Sequence, residues 1–250
     1  MKVLIPLMTI LAVAFADHEF RLWNNCPFTV WPGLLNNPNK PLPENGGFAL
    51  EKYHTRAFHV PDGWAGRIWA RTNCNGAGHC ETGDCGNRIE CRGAGGVPPV
   101  SLAEFTFDGS GNMDYYDVSL VDGYNLPISI FPIDGTYRRV SNSHYDCNTA
   151  GCKADINAHC PNELAIRNSA GWPVACKSAC LAFNTDEYCC RGAHNRPETC
   201  RSRDWPVNYP AIFKQSCPDA YSYAYDDTSS TFTCHGNGGA RTGYVVKFCP

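Results

Sequence analysis

Alternating apolar and polar residues predict β-strands through the first half of the chain. The runs that fit this period are residues 20–23, 28–31, 67–71, 101–107 and 115–121, and turns rich in Gly, Pro, Asn and Asp separate them. Residues 244–249 read as a last strand that returns to the same layer. Helical spacing of apolar residues is weak in this half, so an antiparallel β-sandwich or barrel fits the pattern best.

The composition changes between Cys147 and Cys217. Eight cysteines lie from Cys147 to Cys200, among short runs with helical character at 163–167, 175–183 and 211–215. Isolated helices of this length are not stable in water. We therefore expect disulfides to hold these segments in place.

The first 16 residues have the features of a secretory signal peptide. Lys2 gives a positive start, residues 3–13 are apolar, and Ala14-Phe15-Ala16 forms a small-x-small cleavage site. A membrane anchor needs roughly 20 apolar residues, and this run ends at Asp17. The sequence predicts cleavage after Ala16, a secreted extracellular protein of residues 17–250, and no stable insertion into a membrane.

The chain has 16 cysteines, an even number that predicts eight disulfides in an oxidising compartment. Cys176-x3-Cys180 and Cys189-Cys190 have spacing that could also suit a zinc site, but cysteines spread from Cys26 to Cys249 argue for disulfides. Spacing alone does not choose the pairing. The eight histidines form no His-x3-His pair and no phosphate-binding loop is present, so we expect no metal and no organic cofactor.

The charge balance argues against nucleic acid as a partner. Removal of Lys2 with the leader leaves 20 Lys and Arg against 24 Asp and Glu, a net charge near −4. Nucleic acids and anionic membranes attract basic surfaces. We expect a monomer whose partner is neither of these.

Seven motifs along the chain carry a resemblance to a known family. They lie at residues 25–31, 66–72, 80–86, 101–105, 122–127, 186–190 and 217–223. With these motifs, and with all 16 cysteines in corresponding order, the chain resembles the thaumatin-like proteins. The resemblance implies one domain over 17–250, a β-sandwich core, a disulfide-rich helical subdomain around 145–217 and a small looped hairpin around 74–91.

The resemblance also implies the disulfide pairing. The pairs would be Cys26–Cys249, Cys74–Cys80, Cys85–Cys91, Cys147–Cys234, Cys152–Cys217, Cys160–Cys176, Cys180–Cys189 and Cys190–Cys200. One position departs from the family pattern, since Asn87 stands where a second Gly is usual after Asp84-Cys85-Gly86. Asn tolerates a left-handed backbone better than other non-Gly residues, so we expect the turn to be kept.

Members of this type have a cleft lined by one Arg, one Glu and three Asp. Matched by position, these are Arg67, Glu104, Asp117, Asp122 and Asp226, with Asp219 and Asp227 as alternatives for the last place. Strand parity puts Arg67 on one face with Trp69 and Arg71. Asp117 and Asp122 have opposite parity, so they can converge only if the strand ends or bulges near Asp122.

Carboxylates accept hydrogen bonds from sugar hydroxyls, and the nearby Tyr115, Tyr116 and Tyr124 could stack on pyranose rings. Hydrolysis of a glycosidic bond needs one protonated and one ionised carboxyl group. Glu104 is then the expected proton donor and Asp122 the preferred partner, with Asp117 as second choice. Arg67 would keep the partner ionised, or else form a structural salt bridge.

Three functions follow from the resemblance and this cleft. The first is a secreted antifungal defence protein that recognises β-1,3-glucan of cell walls. The second is a slow endo-β-1,3-glucanase that uses the same cleft, because the family contains members with and without this activity. The third is a protein-binding role, such as inhibition of digestive hydrolases. Residue types alone leave retaining and inverting geometries both open.

Overall fold

The computed structural model describes residues 17–250, so the predicted signal peptide lies outside the described residues. These contain thirteen strands: β1 His18–Asn24, β2 Trp31–Asn36, β3 Thr55–Val60, β4 Ala65–Arg71, β5 Leu102–Thr106, β6 Asp114–Ser119, β7 Ile128–Pro132, β8 Tyr137–Arg138, β9 Ala150–Cys152, β10 Ala165–Arg167, β11 Pro173–Cys176, β12 Phe232–Gly236 and β13 Tyr244–Phe248. Two α-helices, α1 Ala179–Phe183 and α2 Tyr209–Ser216, and six short 3-10 turns complete them. The chain is mainly β, as the sequence predicts.

Two sheets form the body of the protein. One has the strand order β3-β1-β13-β7-β9, the other β2-β4-β5-β6-β12-β8, and β10 with β11 forms a separate hairpin. Strands β1 and β13 pair in parallel, with Phe20 opposite Tyr244. The first and last strands are therefore neighbours, and the Cys26–Cys249 disulfide joins the chain just beyond both of them.

The core between the sheets consists largely of aromatic rings. Phe105 of β5 lies at its centre, with ring centroids 4.8 Å from Phe20, 5.4 Å from Tyr244 and 5.6 Å from Phe107. Tilted and edge-to-face contacts of this kind stabilise a core beyond the area they bury. Because successive side chains of a strand point to opposite faces, this packing turns Glu104 outward.

The segment 74–91, for which a small looped hairpin was expected, contains no strand and folds as a loop over the outer face of the six-stranded sheet near Trp69. Trp69 is fully buried beneath it and donates from its indole nitrogen to the carbonyl of Gly83 at 2.9 Å. Arg71, also fully buried, donates to the carbonyl oxygens of Trp31, Pro32, Arg88 and Ile89. Burial lowers the pKa of Arg71 to about 10. Arg71 therefore anchors this loop to β2, because its donors are shared between carbonyl groups of the loop and of the strand.

The turn at Asn87 has the conformation expected from the sequence. Its φ is +55°, and its backbone N–H donates to Oδ1 of Asp84 at 2.9 Å. Burial by itself raises the pKa of Asp84, but backbone N–H donors from Asn87, Cys80 and Gly86 outweigh it and hold the pKa below its ordinary value. Asn therefore replaces Gly here with the turn retained.

Eight disulfides take up all the cysteines, and none among residues 17–250 is free. The pairs are Cys26–Cys249, Cys74–Cys80, Cys85–Cys91, Cys147–Cys234, Cys152–Cys217, Cys160–Cys176, Cys180–Cys189 and Cys190–Cys200. The structure thus has the same eight pairs that the resemblance implies. Both α-helices lie within residues 145–217, and five of the eight disulfides have at least one cysteine in this segment.

Three local expectations were wrong. Residues 28–31 are not a strand: β2 begins at Trp31, after a single bridge between Val30 and Leu50. Residues 163–167 are not helical, because Ile166 pairs with Ala175 in a hairpin closed by the turn at 168–171. The run 175–183 is divided, since a strand ends at Cys176 and Ser178 then caps helix α1 by accepting from the N–H of Leu181.

Candidate functional site

Three charged side chains form a row across the outer face of the six-stranded sheet. Arg67 of β4 lies directly opposite Glu104 of β5, and Glu104 lies opposite Asp117 of β6. Directly opposed residues have Cβ atoms roughly 4.5–5.5 Å apart, so the register alone makes Glu104 a neighbour of both others. Alternation accounts for their common face, because Ala103, Phe105 and Val118 fill the core on the other side.

Asp122 joins this row because β6 ends before it. The strand stops at Ser119, and the N–H of Gly123 donates to the carbonyl of Leu120 at 2.9 Å to close a turn. Gly123 has φ +87°, and a Cβ there would lie 2.6 Å from the carbonyl oxygen of Cys176. Because the strand ends before Asp122, the side chains of Asp117 and Asp122 reach the same site although their positions in the sequence have opposite parity.

The row forms the floor of an open groove with a volume of about 390 Å³. The lining residues combine charged, hydroxyl and small apolar side chains: Arg67, Leu102, Glu104, Asp117, Ser119, Val121, Asp122, Tyr221 and Ala224. Four of the five residues that the sequence assigns to the cleft are therefore brought together. We call this groove the acidic cleft.

The two central carboxyl groups hold their protons more firmly than ordinary ones. Burial raises the pKa of Glu104; Arg67 and the hydroxyl of Ser119 oppose this, while Asp122 adds to it. Burial also raises the pKa of Asp117 well above its usual range, and the charges of Glu104 and Asp227 raise it further. The Oδ1 atom of Asp117 is buried without a hydrogen-bond partner in the protein. The cleft thus combines a proton-holding carboxyl pair with a cation.

Asp226, which the resemblance assigns as the fifth residue, is not among the residues that line the cleft. Its carboxylate lies 3.0 Å from Nζ of Lys214 and accepts hydrogen bonds from Ser222 and Ser229 at 2.8 Å. A turn carboxylate that takes up so many local donors faces its own loop rather than a groove. Its role in this structure is to hold the loop that brings Tyr221 and Ala224 to the cleft.

Neither alternative lines the cleft, but Asp227 contacts Tyr221, which does. Its charge contributes to the raised pKa of Asp117, and its Oδ1 accepts from the hydroxyl of Tyr221 at 2.8 Å. Asp219 instead pairs with His144 at 2.8 Å. Three aspartates within nine residues have no periodicity that sequence reasoning could use, so only the loop conformation separates them.

The aromatic neighbours expected from the sequence are mostly unavailable. Tyr116 and Tyr124 are buried, and Tyr124 donates its hydroxyl to the carbonyl of Ala154 at 3.0 Å. Tyr115 is partly exposed on the face of Asp117, but it does not line the cleft. The aromatic residue that does is Tyr221, which sequence reasoning passed over although it lies in the motif at 217–223.

The model of the thaumatin family matches residues 24–250. The chain belongs to the thaumatin family. It is 51% identical over 242 residues to pathogenesis-related protein 5 of Arabidopsis thaliana, covering 95% of this chain and 92% of that protein. It is 48% identical over 232 residues to a glucan endo-1,3-beta-glucosidase of Prunus avium, covering 91% and 88%.

A solved structure shares the fold of this thaumatin-family chain. The laminaripentaose-producing beta-1,3-glucanase in complex with laminaritetraose superposes with a TM-score of 0.57 over 94% of this chain and 99% of that one. The two are 12% identical, so the likeness shows a common fold and does not by itself assign a residue or a substrate.

This member of the thaumatin family has a second, larger groove of about 670 Å³. It is lined mainly by apolar groups, including Phe28, Leu126 and Val174, with Glu81 and Asp155 also present. No residue is shared with the acidic cleft. We base function on the smaller groove, because only there do carboxyl groups lie in register with a cation and with each other.

Among the described residues 17–250, no helix is long and apolar enough to cross a membrane.

Proposed function

We propose that this protein is a secreted, monomeric defence protein of the thaumatin family that binds β-1,3-glucan in the acidic cleft. The observation that carries the proposal is the row Arg67–Glu104–Asp117 on an open face of the sheet. The family of the chain, which includes pathogenesis-related proteins, supports the defence role.

The chemistry of the cleft suits a neutral, hydroxyl-rich polymer. Sugar hydroxyls donate hydrogen bonds to carboxylate oxygens, and the side chains of Glu104, Asp117 and Asp122 line the groove. Arg67 supplies the donors that ring and hydroxyl oxygens accept. Tyr221 at the wall adds an aromatic face and edge. An open groove admits the middle of a long chain, whereas an enclosed pocket would admit only its end.

Sedimentation with insoluble β-1,3-glucan tests the binding. We expect the wild-type protein to pellet with the polymer and to be released by soluble β-1,3-linked oligosaccharide. The Arg67→Ala variant should remain in the supernatant, while Arg138→Ala, which alters an exposed arginine outside the cleft, should pellet like the wild type. Binding by neither the wild type nor the control would contradict the proposal.

A second candidate function is slow endo-hydrolysis of the same polymer. The observation that favours it is the raised pKa of Glu104, which lets this carboxyl group keep a proton for the leaving oxygen. The pKa of Asp117 is also raised, so it is less suited to the ionised role. Asp122 then remains the preferred partner. The 48% identity to the Prunus avium glucosidase is a further reason to test this activity.

Release of reducing ends from a linear β-1,3-glucan separates binding from hydrolysis. Removal of a general acid typically lowers the rate by about 10²–10⁴-fold, so Glu104→Gln should lose activity while it still sediments with glucan. Glu51→Gln is the matched control, because Glu51 is exposed and outside the cleft. Equal activity in wild type and Glu104→Gln would exclude Glu104 as the acid; no activity in either would leave a protein that binds only.

A further inference from the structure

We infer that a divalent metal ion of the zinc type binds to a cluster formed by His18, Asp62 and Asp108. One ligand atom from each of these residues lies within 4.8 Å of the others. The cavity beside them, about 120 Å³ in volume, includes His18, Asp108 and Asp114 and shares no residue with the acidic cleft. The proposed metal site is therefore independent of the proposed glucan-binding function.

The imidazole of His18 is oriented as a metal ligand would be. The residue is 1% exposed and stacks on Phe107 with ring centroids 3.9 Å apart. Its Nδ1 lies 2.9 Å from the carbonyl oxygen of Thr242, which can only accept, so Nδ1 carries the hydrogen. Metal-binding histidines are usually held in this way through their other ring nitrogen. The lone pair of Nε2 then points toward the carboxylates.

The distance from Nε2 of His18 to Asp108 fits two ligands of one ion better than a hydrogen bond. Nε2 has no hydrogen-bond partner, and Oδ2 of Asp108 lies 3.5 Å away. That is longer than an ordinary N–H···O bond. Zinc at about 2.0–2.2 Å from nitrogen and oxygen in tetrahedral geometry holds its ligand atoms roughly 3.3–3.6 Å apart. The spacing of Nε2 and Oδ2 therefore matches that of two ligand atoms on one zinc ion.

The carboxylates are held in place and leave the cluster negatively charged. Arg241 donates to Oδ1 of Asp108 at 2.8 Å and also pairs with Asp62, and the N–H of Gly63 donates to Oδ2 of Asp108 at 2.8 Å. Asp114 adds a third carboxyl group, 3.6 Å from Nδ1 of His18. Three carboxylates against Arg241 and the nearby Arg138 leave net negative charge when His18 is neutral.

Sequence spacing could not indicate this site, and the expectation of no metal rested on that spacing. His18 begins β1, Asp62 lies in the turn after β3, and Asp108 follows β5. The fold alone joins three segments that are separated by more than 40 residues each. A metal there would tie the start of the chain to two turns.

Equilibrium dialysis of the untagged, processed protein with zinc chloride tests the inference. We expect one equivalent to bind, with affinity at least about tenfold weaker in Asp62→Asn and absent in His18→Gln. Asp62 is 46% exposed, so its variant keeps the test valid if His18→Gln fails to fold. His54→Gln, at an exposed histidine outside the cluster, is the control and should bind like the wild type.

The melting temperature gives an independent readout. A ligand that binds only the folded state raises it, so saturating zinc should raise it in the wild type and in His54→Gln but not in Asp62→Asn. Absence of a tightly bound equivalent in the wild type would overturn the inference, as would equal binding by Asp62→Asn. Nitrogen-15 NMR of the metal-free protein shows whether Nε2 of His18 carries a proton near neutral pH. If it does, and the protein takes up no zinc, a proton occupies the proposed metal position and the inference is overturned.

Discussion

Replacement of Asp117 by Asn should stabilise the protein near neutral pH and leave it unchanged in acid. Asp117 is half-buried beside Glu104, and both pKa values are raised. A carboxyl group whose pKa rises on folding binds its proton more tightly in the native state. Its contribution to stability is therefore complete below the unfolded pKa, about 4, and is lost as the pH rises through the folded pKa. Asn does not titrate and avoids this loss.

Burial is the largest cause of the raised pKa of Asp117, and repulsion from Glu104 comes second; the register gives the size of the repulsion, which is a lower bound on the whole effect. Cβ atoms of directly opposed residues lie roughly 4.5–5.5 Å apart, and two unit charges about 5 Å apart at an effective dielectric constant near 20 repel by about 3 kcal/mol. The groove is open to solvent, which we take to reduce this to about 1–2 kcal/mol. For a domain of this size, that corresponds to a rise of about 2–8 °C in melting temperature.

Calorimetric melting at low ionic strength, at intervals from about pH 3 to pH 8, measures this difference. The melting temperature of Asp117→Asn should equal that of the wild type in acid and exceed it progressively as the pH rises. Asp134→Asn, at an exposed turn position, should follow the wild type at every pH. A constant offset across the range, or a less stable Asn variant near neutral pH, would refute the reasoning.

Three further changes test other parts of the structure. Lys214→Met removes the amine that holds Asp226 and the carbonyl of Ala220. Glucan sedimentation should weaken several-fold and the melting temperature should fall; unchanged sedimentation would show that this loop does not contribute to glucan binding. Arg71→Lys leaves buried carbonyls without donors and should cost about 2–4 kcal/mol in unfolding free energy; a loss below about 0.5 kcal/mol would contradict its anchoring role. Replacement of both cysteines by Ala at Cys26–Cys249, which closes a loop of 223 residues, should lower the free energy of unfolding by about 5 kcal/mol. The same change at Cys180–Cys189, separated by 9, should lower it by about 2.5 kcal/mol. Equal losses by calorimetry would contradict the dependence on loop length.

Alternation of side chains carries most of what could be predicted about the cleft. The period of two places Arg67 on one face with Trp69 and Arg71, and the opposite parity of Asp117 and Asp122 predicted that the strand ends or bulges near Asp122; the structure has a strand end, at Ser119. Which strands pair, and in which register, depends on tertiary packing. The direct opposition of Glu104 and Asp117 could therefore not be predicted from sequence spacing.

Loops and short segments account for the errors. Asp226 and Asp227 are adjacent, and only the hydrogen bonds of Asp226 to Lys214 and to its own loop decide which one contacts Tyr221 of the cleft. Tyr116 was expected to be available for stacking, but its side chain packs in the core between the two sheets. Residues 163–167 read as helix because local preference cannot register a partner strand that follows a tight turn.

Chemical-shift mapping with a soluble β-1,3-linked oligosaccharide locates the bound ligand without assuming catalysis. We expect the perturbed amides to cluster on β4, β5 and β6 around Glu104 and on the loop that carries Tyr221. Perturbation centred on the larger groove around Phe28 and Leu126, or no perturbation at saturating oligosaccharide, would contradict the assignment of the acidic cleft as the glucan site.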